Sequence, residues 1–249
     1  MSTYLNGRRN PLTVVKDVLN HHFPNALFAF VAGSFNRGEA TTSSDIDLVV
    51  IFETLEFAWR ESFMFDGWPI EAFVHDSETL NYFFQEVDGK DGTLSLPAMV
   101  VEGEVVPAAN KLSLKLKNMA QKKLIEKPPK WTDEQIYHER YGITDLIDDL
   151  RDPRNETEAK IMIGALHEIL GNFYFRANGF WSASRKHIPR QLLKLNSQFG
   201  QHWIDVFEKA YEGDRQALII LTEEILKPFG GFLFDGYKRT APKEWKIRV

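Results

Sequence analysis

The stretch that decides the fold is residues 30–53, FVAGSFNRGEATTSSDIDLVVIFE. Two apolar, β-prone runs are joined in it by a polar loop, and Asp45 and Asp47 stand one residue apart at the start of the second run. Because side chains alternate faces along a strand, both carboxylates are predicted to project from the same face. The two charges of such a pair repel each other and lose hydration, so the arrangement is costly unless a positive charge compensates them.

A divalent cation is the compensation that this chemistry favours. Magnesium is usually held by one or two carboxylates together with substrate phosphates. Glu71, in the run PIEAFVH, can face Asp45 and Asp47 if its strand lies beside theirs. Three carboxylates can hold two metal ions, or Glu71 can serve as the general base for an attacking hydroxyl. The sequence leaves both roles of Glu71 open.

The segment AGSFNRG, residues 32–38, is typical of a phosphate-binding turn. Gly33 ends a strand at a point where backbone can approach a ligand closely, and a helix start is expected just after it. The free N–H groups of such a start bind anions. The Ser34 hydroxyl adds a donor, and Arg37 is predicted either to neutralise a phosphate or to hold the loop through an ion pair.

These motifs resemble the signature of the DNA polymerase β-like nucleotidyltransferase superfamily. The matching residues are Gly33-Ser34, Arg37-Gly38 and Ser44-Asp45-Ile46-Asp47-Leu48. Within that superfamily the chain is similar to the minimal and antibiotic-modifying (aminoglycoside-type) enzymes, in which a helical bundle follows the catalytic domain. The resemblance implies a mixed sheet, Mg²⁺, and transfer of a nucleoside monophosphate from a nucleoside triphosphate with release of pyrophosphate.

The resemblance also implies roles for single residues. Asp45 and Asp47 would bind metal, and Glu71 would be the third catalytic acid and a further candidate metal ligand. Nucleotide binding is assigned to Gly33, Ser34, Arg37, Ser44 and, from the second half of the chain, Lys186.

Lys186 lies in the basic run WSASRKHIPRQ, residues 181–191. One interpretation is a cationic clamp that closes on the triphosphate; the other is a solvated turn before a helix. Asp145, Asp149 and Asp152 share one helical face, which could receive a polycation such as an aminoglycoside but is more typical of a solvated surface.

The adjacent prolines in EKPPKW, residues 126–131, mark a change of character, since neither can lie inside a helix or a central strand. We predict an α+β nucleotidyltransferase domain with a mixed β-sheet over residues 1–128. An all-α helical bundle that binds substrate is predicted over 129–249. The predicted elements before the boundary are a helix at 11–22 capped by Asn10, strands at 26–32, 45–52 and 69–75, and helices at 77–87 and 107–126.

Composition limits the partners. A formal net charge of −5 gives no electrostatic footprint for general nucleic-acid binding. Cysteine is absent, which fits a reducing compartment. Neither a secretory leader nor an apolar run of membrane-spanning length is evident, so we expect a soluble, cytoplasmic protein that binds no membrane.

Three functions remain in competition at this point. The favoured one is transfer to the hydroxyl of a small molecule. A protein-modifying enzyme that places AMP on a partner, like the antitoxin of a toxin–antitoxin pair, would share the same catalytic motif. An inactive nucleotide-binding regulator would bind the triphosphate without releasing pyrophosphate.

Overall fold

The computed structural model describes residues 7–245, apart from the side chains of Arg37, Asp91 and Lys243. The chain divides into two units, Met1–Lys127 and Pro128–Val249. The first combines a five-stranded sheet with helices, and the second is helical. The predicted fold class, an α+β domain with a mixed sheet followed by a helical region, is confirmed.

The sheet of the first unit has the strand order β3-β4-β2-β1-β5. Its strands are β1 (Phe28–Ala32), β2 (Ile46–Ile51), β3 (Trp59–Phe65), β4 (Trp68–His75) and β5 (Glu104–Val106). β2 and β4 run parallel, whereas β1 with β2, β1 with β5 and β3 with β4 are antiparallel. The mixed character of the sheet therefore arises at the pairing of β2 with β4.

Helices cover both faces of this sheet. On one face α1 (Pro11–His21) packs Val14, Val15 and Val18 against alternate residues of the central strands. The other face is covered by α2 (Ser77–Tyr82), α4 (Ser95–Glu102) and α5 (Lys111–Ile125). A π-helical turn (Phe83–Val87) and a short α3 (Asp88–Asp91) continue the chain after α2. With both faces covered, β1 and β2 read as nearly continuous apolar runs, which is why the sequence identifies them.

The start of α1 follows from local chemistry. The side chain of Asn10 accepts a hydrogen bond from the backbone N–H of Leu12, and Pro11 occupies the first helical position. A side-chain cap satisfies one of the free N–H groups at a helix start, and proline costs nothing there because its missing N–H would have no helical partner. The predicted cap is confirmed.

Other predictions of single elements were incomplete. β3 is absent from the predicted elements, and residues 96–106, which the sequence does not assign to helix or strand, lie in α4 and β5 with Gly103 between them. The predicted helix at 77–87 is regular only to Tyr82. α5 begins at Lys111 rather than at residue 107, because Asn110 caps its first turn through Ser113.

The second unit is built on five longer helices. They are α6 (Asp133–Arg151), α7 (Glu156–Ala177), α8 (His187–Leu195), α9 (Ser197–Tyr211) and α10 (Gln216–Leu226). Their apolar faces enclose a core around Ile147, Leu166, Phe173 and Trp203. Short 3-10 turns follow at Lys227–Phe229 and Lys243–Trp245. Among residues 7–245, no helix has the length and apolar character needed to cross a membrane.

His75, the last residue of β4, links stability to pH. The residue is 2% exposed, and burial lowers the pKa of its imidazole from 6.5 to about 4. Between pH 4 and pH 6.5, therefore, His75 is mostly protonated in the unfolded chain and mostly unprotonated in the folded chain. The stabilising contribution is complete above pH 6.5 and is lost as the pH falls towards 4.

We expect this linkage to cost wild type about 2 kcal/mol of unfolding free energy between pH 7.5 and pH 5. In His75→Gln that part of the pH dependence disappears, while the exposed His21→Gln should keep it. Urea unfolding followed by circular dichroism at both pH values measures the difference. Equal pH dependence in His75→Gln and wild type would contradict the prediction.

Candidate active site

The parallel pairing of β2 with β4 brings two predicted acids side by side. In the register of these strands Asp47 is the partner of Glu71, and Ile46 is the partner of Ile70. Asp45 stands one residue before β2 begins, on the approach to the same face as Asp47. The prediction that Glu71 faces the two aspartates depended on its strand lying beside theirs, and β4 does lie beside β2.

The carboxylates of Asp45, Asp47 and Glu71 converge. Each offers an oxygen, and these oxygens lie within 4.8 Å of one another. Asp45 is exposed, whereas Asp47 and Glu71 are half-buried. Three ionised carboxylates at this separation repel one another, and a positive charge among them would reduce this repulsion. We refer to Asp45, Asp47 and Glu71 as the acidic trio.

Gly33 lies directly against the trio. Its backbone has φ 112° and ψ −177°, a conformation that is essentially restricted to glycine. A β-carbon at this position would lie 3.2 Å from Asp47 Oδ2 and 3.6 Å from the carbonyl oxygen of Asp45. The absence of a side chain therefore keeps the space beside the Asp47 carboxylate open.

The loop after Gly33 differs from the prediction in one respect. Instead of opening a longer helix, Ser34–Arg37 forms one 3-10 turn, which ends at Gly38 in the left-handed conformation. The backbone N–H of Gly38 donates a hydrogen bond to the carbonyl oxygen of Phe35 and closes the turn. Arg37 contributes its backbone to this turn, and its side chain lies outside the described part of the structure.

Ser34 and Ser44, both predicted to bind nucleotide, meet across the loop. Ser34 Oγ donates to Ser44 Oγ over 2.9 Å, and Ser44 Oγ also accepts from the backbone N–H of Thr41 over 2.8 Å. Ser44 thus fixes the loop immediately before Asp45. These bonds give Ser44 a structural function, and nucleotide contact by either serine stays a prediction.

Arg60 is the residue at this site that sequence reasoning missed. It lies on β3, and its guanidinium donates a hydrogen bond to Glu71 Oε1. The guanidinium carbon also lies 5.0 Å from the centre of the Phe73 ring. The signal was present in the sequence: the turn FDGW, residues 65–68, predicts a hairpin, and a hairpin needs a strand before as well as after its turn.

Lys186 lies in the second unit, exposed, immediately before α8. The preceding residue, Arg185, has a positive φ of 45°, which is uncommon for a residue with a long side chain. The backbone N–H of His187 bonds to the carbonyl of Ser184 and closes this turn. A contact of Lys186 with triphosphate stays a prediction.

The donor set of the trio fits a hard divalent cation. Carboxylate oxygens are the ligands that Mg²⁺ and Ca²⁺ prefer, and the missing β-carbon of Gly33 leaves room beside one of them. Two of these acids are half-buried and the third, Asp45, is exposed, so an ion held among them would remain in contact with solvent.

Two comparisons with known proteins found similarities. Residues 12–126 match the family model described as nucleotidyltransferase domain. Among solved structures the chain is similar to a nucleotidyltransferase-like protein from Exiguobacterium sibiricum 255-15, with 13% identity and a TM-score of 0.40 over 88% of this chain and 75% of that chain. No curated protein matches the sequence.

We expect Gly33→Ala to destabilise the first unit by about 1–3 kcal/mol, because alanine is strained at this φ and its β-carbon crowds Asp47. Gly38→Ala is the matched control, since its φ of 70° is also positive but nothing lies within 4 Å of the added carbon. Denaturant unfolding of both variants measures the difference. A smaller loss in Gly33→Ala than in Gly38→Ala would show that the close approach to Asp47 is unimportant.

Proposed function

We propose that the chain uses its nucleotidyltransferase domain, residues 12–126, to transfer a nucleoside monophosphate from a nucleoside triphosphate to an acceptor hydroxyl. The observation that carries the proposal is the convergence of three carboxylates within 4.8 Å beside the strand-end glycine. Such a group is unfavourable as a purely structural feature and suits a reaction in which cations and phosphates are brought together.

The reaction is a displacement at the α-phosphorus. The acceptor oxygen forms a bond to that phosphorus, the bond to the bridging oxygen of the β-phosphate breaks, and pyrophosphate leaves. Divalent cations, which we take to be Mg²⁺, would neutralise the phosphate oxygens and lower the pKa of the acceptor hydroxyl when bound. Asp45 and Asp47 would hold them, with Glu71 as a third ligand.

The alternative role of Glu71 concerns the proton of the acceptor hydroxyl. It is half-buried and lies beside Asp47 in the register of the sheet. In the alternative role its carboxylate accepts the proton of the acceptor hydroxyl as the oxygen attacks. The glycine-serine turn would orient the triphosphate through backbone N–H groups and the Ser34 hydroxyl, since such groups complement developing negative charge without rearranging.

The acceptor we propose is a small molecule, as in the antibiotic-modifying enzymes that the sequence resembles. Lys186 would then contribute to nucleotide binding, and the helical unit would bind substrate. Transfer to the side chain of a partner protein, or nucleotide binding without turnover, are the competing functions.

A screen of acceptors distinguishes these three functions. Purified protein is incubated with Mg²⁺ and labelled ATP, GTP or CTP, in the presence of aminoglycosides, lincosamides or whole-cell lysate, and pyrophosphate release is recorded. We expect release that depends on a small-molecule acceptor. Label that appears on a lysate protein would favour the protein-modifying enzyme. Tight triphosphate binding with no release under any condition would favour the inactive regulator.

We expect Asp47→Asn to lower transfer by at least about a hundredfold, since the variant removes a charge at the point where cations are held. Its metal-free form should unfold at the same or higher denaturant concentration than wild type, because one source of repulsion is gone. Asp66→Asn, an acid at the β3–β4 turn that pairs with Arg9, is the matched control and should retain activity. Full turnover in Asp47→Asn would refute the assignment.

A further inference from the structure

We infer that Arg60 is a positioning residue for Glu71: it is a counter-ion of this member of the acidic trio and competes with the divalent cation for its carboxylate. The inference rests on the proposed function, because it concerns the same site.

The sheet directs Arg60 to Glu71. In the antiparallel pairing of β3 with β4, Arg60 is the partner of Phe73, and Ser62 is the partner of Glu71. Arg60 is therefore the diagonal neighbour of Glu71 on one sheet face, within reach of a long side chain. The guanidinium carbon of Arg60 lies over the Phe73 ring, 5.0 Å from its centre, and this cation–π contact helps to keep the guanidinium on the same sheet face as Glu71.

The contact is specific to one carboxylate oxygen. The guanidinium of Arg60 bonds Oε1 of Glu71, and the Glu71 side chain is only 26% exposed while that of Arg60 is 59% exposed. Arginine cannot lose its charge at physiological pH, so the positive charge is permanent. Glu71 is held in a fixed direction, and part of the repulsion within the trio is offset before any ion arrives.

The same contact opposes metal binding. A divalent cation gains from the summed negative charge of the trio, and a neighbouring guanidinium reduces that charge. For a pair this exposed the effect is modest, because solvent screens it. Removal of the Arg60 charge should therefore tighten cation binding by about two- to fivefold, which is the range that exposed ion pairs contribute.

The test is Mn²⁺ binding to the full chain without nucleotide, measured by electron paramagnetic resonance of the free ion. We expect Arg60→Gln to lower the dissociation constant about two- to fivefold, and Arg60→Lys to stay near wild type because the charge is kept. Lys16→Gln, on α1 at the opposite sheet face, removes the same charge and should leave affinity unchanged.

The double variant with Glu71→Gln tests whether the effect of Arg60 on Mn²⁺ binding acts through Glu71. In Glu71→Gln the additional change Arg60→Gln should no longer tighten Mn²⁺ binding, because the carboxylate for which the two cations compete is gone. Unchanged or weaker binding in Arg60→Gln alone, or equal tightening in the Glu71→Gln background, would overturn the inference. If wild type binds Mn²⁺ no better than Asp47→Asn, the proposed metal site fails and the inference falls with it.

Discussion

The parallel pairing of β2 with β4 is the constraint on which the site depends. It fixes Asp47 beside Glu71, so folding itself forces two like charges together. The charges cannot separate by a shift of register, because a slip of one residue would turn the apolar side chains of β2 from one sheet face to the other. Ile46, Leu48 and Val50 contact one core, and Val49 and Ile51 contact the other. Burial on both faces therefore maintains an electrostatic arrangement that is unfavourable by itself.

Three features of the sequence limit the cost of this arrangement without removing it. Asp45 stays exposed to water just before the strand. Gly33 leaves space beside the Asp47 carboxylate, whereas the β-carbon of any other residue at this position would occupy that space. Arg60 supplies a positive charge to Glu71 from the neighbouring strand. The trio therefore keeps three carboxylates close together with space beside one of them, an arrangement that suits a hard divalent cation.

The sequence predicts the interior of this fold better than its edges. Strands β1 and β2 and helix α1 are recognisable because buried apolar runs and a capped start leave few alternatives. β3 escaped prediction because its residues, WRESFMF, are alternately half-buried and exposed and only its hairpin turn marks it. The turn after Gly33 was expected to open a helix, and left-handed Gly38 ends it after four residues. The acids were found because strand alternation dictates their direction, whereas no periodicity fixes what a long basic side chain such as Arg60 or Lys186 contacts.

The missed strand also explains why the site can exist in a largely antiparallel sheet. Parallel neighbours cannot be joined by a tight turn, so the chain must leave β2 and return before β4 begins. Here the return is β3, which lies outside β4 in the strand order and turns into it at Asp66-Gly67. This places Arg60 two positions from the residue opposite Glu71. The segment that contains β3 therefore has two roles. It permits the parallel pairing of β2 with β4, and it carries Arg60, which contacts Glu71. A tight turn between β2 and β4 would allow neither the parallel pairing nor this contact.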